Sequence, residues 1–226
     1  MKIMNIFDEY KITQEKFEIV EKKILGHMYR VRNNINDAIK FLDEKDCGKF
    51  LEITTVSVLI YADTMSRFLN LFDNFDNEVV KNNVQQFREW VDKFVLNDCN
   101  EIYKKNKNDI NCDSLLVWKL RNKLVHFYGL PNLKNEKIMI VTGNWHNEKG
   151  KKLKKEFLNK GKKLRIVDII SLRDAILYAV VPMLDYFKEI LEKEPWRYVG
   201  GIMNIVKVSG KECSVKTNYA TGEKIE

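Results

Sequence analysis

The stretch 49-KFLEITTVSVLIYADTMSRFLNLF-72 is the most apolar helical segment of the chain, and it decides the fold. Its apolar residues recur at the three- and four-residue intervals of an α-helix. A helix that is apolar on most sides belongs at the centre of a bundle. Asp63 and Arg67 stand four residues apart within it. Either they form an ion pair along the helix edge, or Asp63 faces the polar cluster of a later helix as a supporting acid.

Helical periodicity continues on both sides of this central segment. Thr13 is the predicted N-cap of one long helix or two abutting helices reaching Glu44. After the central helix, the pattern predicts three further helices, over residues 76–105, 115–127 and 172–192. Asp113 or Ser114 is expected to cap the second of these helices, and Ser171 the third. Lys104–Asp109 has the composition of a polar linker. Pro182 predicts a kink in the third helix.

Short segments with strand character interrupt the helical pattern. Lys137–Thr142 is predicted to pair with Lys163–Asp168. Near the end of the chain, Tyr198–Val208 and Glu212–Thr217 alternate in polarity around the turn residues Ser209–Lys211, which predicts a β-hairpin. We therefore expect a mainly α fold. An up-down helical bundle is predicted over residues 1–194, with a strand insertion at about 136–168 and a C-terminal hairpin extension over 195–226.

The composition agrees with a helical globular chain. Its 226 residues are 45% hydrophobic and 11% aromatic, which is ample for a core. Three prolines and ten glycines are few, and this favours long helices over a loop-rich β fold. The formal net charge of +7 predicts an anionic partner, but charge alone does not separate nucleic acid from other polyanions.

The cysteines indicate the cellular compartment. Cys47, Cys99, Cys112 and Cys213 show neither CxxC spacing nor a nearby histidine pair, so no zinc site is predicted. Without a signal peptide they are expected to be free thiols in a reducing cytoplasm. No apolar run reaches the roughly 18 residues that a membrane span requires. We expect a cytoplasmic protein that contacts no membrane and has no metal and no cofactor.

Polar and titratable side chains concentrate in Leu120–Gly129, at the end of the helix predicted over 115–127. Asn122 and His126 are four residues apart and share a helix face. Histidine titrates near neutral pH, and the Arg121 guanidinium can hold two phosphate oxygens. These groups suit RNA cleavage in which the 2′-hydroxyl attacks its own phosphate without a metal. Asn122 would hold the imidazole tautomer or donate to the phosphate.

Arg121-Asn122-Lys123-Leu124-Val125-His126 resembles the Arg-x4-His signature of the HEPN superfamily. With Phe127 and Tyr128, the match extends to an Arg-x4-His-x-Tyr form that is similar to HEPN toxins paired with nucleotidyltransferase antitoxins. The resemblance implies a helical bundle with the motif at the end of a late helix. It also implies a metal-independent endoribonuclease, with defence or toxin–antitoxin systems as its setting.

The resemblance further implies a composite active site. One histidine does not easily serve as acid and base in a single turnover, and HEPN nucleases bring two motifs together across a two-fold axis. We therefore expect a homodimer with the motif helix at its interface. In the toxins that it resembles, the partner nucleotidyltransferase attaches AMP to the motif tyrosine. Tyr128 is accordingly either a modification and regulation site or a residue that packs against a neighbouring helix.

Two alternatives to the catalytic interpretation stay open. Arg121 could instead pair with Asp63 or another helix carboxylate, and His126 could cap the helix C-terminus. The chain would then be a non-catalytic HEPN-like module that binds RNA or a protein.

The basic run Lys149–Lys163 is either a solvated loop or an arm that guides RNA. The candidate RNA-binding residues are Lys123, Lys151, Lys152, Lys154 and Lys155.

Overall fold

The structure, a computed structural model, describes residues 7–8, 10–45, 51–75, 82–127, 136–142 and 163–213. Over these residues the chain is mainly α-helical, as predicted. The helices are α1 (Gln14–Lys45), α2 (Leu51–Asp73), α3 (Asn83–Trp90), α4 (Glu101–Ile110), α5 (Ser114–Phe127), α6 (Ile169–Tyr178), α7 (Val180–Lys193) and α8 (Pro195–Cys213). The two strands are β1 (Glu136–Val141) and β2 (Lys163–Asp168). None of the described helices is long and apolar enough to cross a membrane.

The first two helices confirm the predicted boundaries. Helix α1 begins directly after Thr13, whose hydroxyl accepts a hydrogen bond from the amide of Lys16 at 3.3 Å. This satisfies an amide that the helix itself leaves without a partner. Helix α2 occupies the apolar stretch that was predicted to form the central helix. Its buried side chains include Val58, Leu59 and Met65.

The single helix predicted over residues 76–105 is wrong, because the chain breaks near its middle. A π-helical turn, Val91–Val95, follows α3 and ends at Leu96, whose φ and ψ are −99° and 39°. Asn100, which is fully buried, then starts α4 by accepting a hydrogen bond from the Tyr103 amide at 3.0 Å. The predicted linker Lys104–Asp109 therefore lies inside α4. Sequence periodicity missed the break because the side chain that creates it bonds to distant backbone.

The predicted helix carrying the motif is confirmed, and the structure decides between Asp113 and Ser114 as its N-cap. The Asp113 carboxylate accepts a hydrogen bond from the Leu116 amide at 2.7 Å, so Asp113 is the N-cap of α5. Arg121, Asn122 and His126 lie on this helix. The residues that follow it, 128–135, lie outside the described part of the chain.

The predicted strand pair is also confirmed, and its strands run parallel. Glu136 pairs with Lys163, and the register continues to Val141 opposite Asp168. Parallel strands require a crossover connection rather than a tight turn. The connecting residues 143–162 lie outside the described part of the chain.

The helix predicted over residues 172–192 is divided. Asp168, not Ser171, caps α6, since its side chain accepts hydrogen bonds from the amides of Ile170 and Ser171. The chain turns at Ala179 and α7 starts at Val180, two residues before Pro182, which lies in the first turn of the helix. Proline carries no N–H to bond back to residue 178, which agrees with the interruption expected at this position.

The C-terminal β-hairpin prediction is wrong over Tyr198–Cys213, because these residues belong to helix α8. The side chains of this segment fit both the two-residue alternation of a strand and the three- and four-residue intervals of a helix. Tyr198, Ile202 and Ile205 are buried along the helix at intervals of three and four. Gly200 and Gly201 lie so close to Phe75 and Phe72 that a Cβ would overlap the two rings. Packing thus favours a helix where two adjacent glycines disfavour one locally. Residues 214–217 lie outside the described part.

The chain divides into two compact units. One comprises Met1–His27, Phe68–Val80 and Asp185–Glu226, and the other Met28–Arg67 and Lys81–Leu184. In the first unit, Phe72 stacks on Phe187 with ring centroids 4.1 Å apart. In the second, Trp90 is fully buried and its indole N–H donates to the Met183 sulfur at 3.2 Å. The division predicted at residue 194 stays a prediction.

Candidate functional site

Helix α5, which carries the motif, is fixed at its N-terminus by two polar contacts. The carboxylate of Asp113 accepts a hydrogen bond from Arg165 of β2 at 2.6 Å. Ser114 is buried, and its hydroxyl donates to the carboxylate of Asp92 at 2.8 Å. Leu116, Val117 and Leu120 are buried along the helix. These contacts determine which face of α5 remains for Arg121 and Asn122.

Arg121 is held from three sides. Its Nη2 lies 3.2 Å from Oδ2 of Asp63 on α2, and the side chains of this pair are only 15% and 14% exposed. Its Nη1 donates to Oδ1 of Asn122 at 3.0 Å. Its guanidinium carbon lies 5.2 Å from the ring centroid of Trp118, within the range of a cation–π contact. Three such partners restrict the guanidinium to a narrow set of positions.

Asp63 fulfils both predicted alternatives at once. Its Oδ2 lies 3.4 Å from Nη2 of Arg67, four residues later on α2, and also contacts Arg121 of the motif helix. The interpretation of Asp63 as a helix-edge ion pair and the interpretation that it faces the motif were not exclusive. The structure thus places two guanidinium groups on one carboxylate oxygen.

Asn122 lies beside Arg121, where its carboxamide oxygen is an acceptor. That use differs from the roles expected of it, which were to orient the imidazole or to donate to phosphate. Its amide nitrogen is not required by the Arg121 contact and keeps a donor's chemistry. The main chain of His126 lies in the last turn of α5, one turn after Asn122, while its side chain is outside the described residues.

The remaining predicted site residues divide into two groups. Lys123 is exposed on α5, close in sequence to Arg121. The others lie outside the described residues: Tyr128, Lys151, Lys152, Lys154 and Lys155. Their roles in modification and RNA binding stay predictions.

Two residues that contact Arg121 or its partner Asp63 were not assigned a place in the site from the sequence. Trp118 packs on Phe87 with ring centroids 5.3 Å apart, and its ring also lies under the Arg121 guanidinium. Its spacing of three residues from Arg121 on one helix is the signal that could have identified it. Arg67 was noted only for its pairing with Asp63.

Electrostatics near the start of α5 favour a charged Asp113 and a protonated Cys112. Desolvation alone would raise the pKa of Asp113. The hydrogen bonds from Arg165 and the Leu116 amide, together with the charges of Arg165 and Lys119, lower it below its ordinary value. Burial, followed by the charge of Asp113, raises the pKa of the Cys112 thiol to about 12. Cys112 is therefore a thiol at neutral pH and is not an activated nucleophile.

Among the described residues, no three or more His, Cys, Asp or Glu side chains are grouped closely enough to hold a metal ion. The expectation of a site without metal or cofactor stays a prediction. No protein-family model, no curated protein and no solved structure matches the chain. The geometry around Arg121 and the resemblance of its motif are therefore the features that point to a function.

Proposed function

We propose that this chain is a metal-independent endoribonuclease of the HEPN type, which cleaves RNA in a composite site formed by two copies. The observation that carries the proposal is the Arg121–Asp63 ion pair, because it holds a guanidinium in a defined position on the helix that bears His126. A pre-positioned cation stabilises charge that develops in a transition state without reorganising during the reaction. Defence or toxin–antitoxin systems are the proposed biological setting.

The reaction balances without any added oxidant or reductant. The ribose 2′-oxygen attacks the adjacent phosphorus and passes its proton to a base. The bond from phosphorus to the 5′-oxygen breaks, and this oxygen takes a proton from an acid. The products end in a 2′,3′-cyclic phosphate and a 5′-hydroxyl. His126 supplies one of the two proton transfers, and the same residue of a second copy supplies the other. Arg121 stabilises the charge on the phosphoryl oxygens.

The homodimer and the regulation of the site are parts of the same proposal. A cleft with two copies of Arg121 would attract RNA, in keeping with the net charge of +7. Transfer of AMP to the Tyr128 hydroxyl by a nucleotidyltransferase partner would place bulk and negative charge beside the cleft. RNA would then be repelled and excluded.

The test is cleavage of single-stranded RNA by the purified chain in the presence of EDTA. We expect 2′,3′-cyclic phosphate ends, and a loss of at least about a hundredfold in rate for His126→Ala and Arg121→Ala. His27→Ala is the matched histidine control and Arg30→Ala the matched arginine control, since both residues are exposed on α1. Thermal melts followed by circular dichroism show whether each variant is folded. Unchanged cleavage by a folded His126→Ala would overturn the mechanism.

A second candidate function has a specific observation in its favour. Arg121 is already engaged by Asp63, Asn122 and Trp118, as expected of an arginine that stabilises helix packing. A non-catalytic module that binds RNA or a protein would keep this arrangement. RNA binding without cleavage, over a range of sequences and with the dimer present, would favour this second function.

A further inference from the structure

Arg67 and Arg121 share a single oxygen atom. The Oδ2 atom of Asp63 lies 3.4 Å from Nη2 of Arg67 and 3.2 Å from Nη2 of Arg121. The two guanidinium groups, from α2 and α5, therefore converge at one point. Their Nη2 atoms are close enough to contact one phosphate group, or two consecutive phosphates of a nucleic-acid strand.

The two arginines differ strongly in exposure. The side chain of Arg121 is 15% exposed, whereas that of Arg67 is 57% exposed. Arg67 thus presents its charge to solvent, beside the guanidinium that we place in the catalytic site.

The ion pair with Asp63 does not hold Arg67 strongly. The guanidinium of Arg67 is mostly exposed, and an ion pair at a spacing of four residues on a helix contributes little to stability. If Arg67 turned to another anion, Asp63 would still be paired with Arg121 at 3.2 Å. The exchange would leave no unpaired carboxylate in a partly buried position, so it carries little penalty.

We infer that Arg67 binds a backbone phosphate of the RNA next to the scissile phosphate, and so positions the strand against Arg121. This inference rests on the proposed function, because it requires that the RNA strand crosses the site at Arg121. Arg67 is a positioning residue and takes no part in proton transfer. Its guanidinium fork can engage two oxygens of one phosphate, which a lysine ammonium cannot do with the same geometry.

The test separates binding from cleavage by using a single-stranded 2′-O-methyl RNA, in which the attacking hydroxyl is blocked. Affinity is measured by fluorescence anisotropy at several salt concentrations for the full chain, Arg67→Ala, Arg67→Lys and a matched control. The control is Lys107→Ala, since Lys107 is a cation as exposed as Arg67, 58% against 57%, and is also paired with an aspartate, Asp98. Circular dichroism melts verify that all variants are folded.

We expect Arg67→Ala to weaken binding about tenfold at low salt. The slope of log affinity against log salt should become shallower by about 0.7, the value for one phosphate contact on a single strand. Arg67→Lys should keep most of the slope and part of the affinity. Lys107→Ala should change neither quantity appreciably. In cleavage assays, Arg67→Ala should raise KM and leave kcat nearly unchanged.

Each result distinguishes the inference from the proposed function. If Arg67→Ala binds the blocked RNA as the unaltered chain does, with the same salt slope, the inference is wrong even though the chain cleaves RNA. If the chain binds RNA through Arg67 but never cleaves it, the inference stands and the nuclease proposal fails. Absence of RNA binding by the unaltered chain overturns both the inference and the nuclease proposal, and points to a protein partner for Arg67 and Arg121.

Discussion

Asp63 of α2 and Arg121 of α5 form an ion pair with Oδ2 and Nη2 3.2 Å apart, and each side chain is about one-seventh exposed. The pair joins the apolar central helix to the motif helix through a single carboxylate. Since Arg67 uses the same oxygen, removing the charge of Asp63 would leave two guanidinium groups facing each other. The consequences for stability and for catalysis can be measured separately.

Asp63→Asn should lower the free energy of unfolding by about 1–3 kcal/mol, because it leaves a partly buried guanidinium without its counter-charge. Urea denaturation measures this value. Asp98→Asn is the matched control, since Asp98 is 67% exposed in its pair with Lys107 and should change stability by less than about 0.5 kcal/mol. Equal effects of the two substitutions would show that the Asp63 pair has no special structural role.

The pH dependence of stability should include a contribution from Asp113. Its pKa in the folded chain is lowered, while an unfolded aspartate titrates near about 3.9. The folded state therefore gains stability from Asp113 above about pH 4. That gain is lost as the pH falls through the lowered folded-state pKa. Asp113→Asn removes the charge opposite Arg165 but keeps an oxygen that can cap the Leu116 amide.

The expected result is an Asp113→Asn variant that is less stable than the unaltered chain at pH 7, with a difference that shrinks as the pH falls below about 4. Urea denaturation at a series of pH values provides the measurement. Asp113→Ala should be less stable than Asp113→Asn at every pH, because it also loses the cap. A difference between the unaltered chain and Asp113→Asn that stays constant with pH would exclude the charge as its source.

Asn100→Ala should be among the most damaging single substitutions in the described chain. The Asn100 side chain donates to the carbonyls of Phe94 and Ala175 at 2.9 Å and 2.8 Å, and it accepts from the Tyr103 amide. Its truncation leaves buried polar groups without partners, for a loss of about 2–4 kcal/mol. Asn106→Ala, which removes one hydrogen bond to the nearby Ile102 carbonyl, is the milder control. Similar losses in urea denaturation would contradict the proposed role of Asn100.

Two glycines inside helices should respond to alanine in opposite directions. At Gly201, a Cβ would lie 2.8 Å from the carbonyl oxygen of Phe72, and backbone cannot move away easily. Gly201→Ala should therefore destabilise the fold by about 1–3 kcal/mol. At Gly26 in α1, no atom lies within 4 Å of the Cβ position, so Gly26→Ala should stabilise by about 0.5–1 kcal/mol. Thermal denaturation of both variants is the measurement, and a stabilising Gly201→Ala would contradict the packing of α8.

Local signals in the sequence predicted a large part of the fold. The caps at Thr13 and Asp113 depend on side chains that bond within three residues, so they can be identified without tertiary information. The strands β1 and β2 were also predicted within a residue of their observed ends. Signals of this kind failed where the bonding partner is remote. Asn100 ends one helical segment and begins the next by reaching the Ala175 carbonyl, which periodicity cannot reveal.

For the candidate site, the sequence determined which chemical groups are present and which of them share a helix. Arg121, Asn122 and His126 fall on α5 because their spacing and the apolar stripe of that helix require it. The tertiary structure decided what each group contacts. It directed Asn122 to Arg121, and it brought Arg67 and Arg121 from two helices onto Asp63.

The same division holds for the whole chain. Amphipathic spacing and caps are properties of neighbouring residues, so the sequence alone determined a mainly helical protein with a short strand pair, and its composition fixed a net positive charge. The helical state of Tyr198–Cys213 and the parallel direction of the strands depended on distant packing. Helix and strand periods compete closely in a short apolar segment. The packing of Gly200 and Gly201 directly against the rings of Phe75 and Phe72 decided between them.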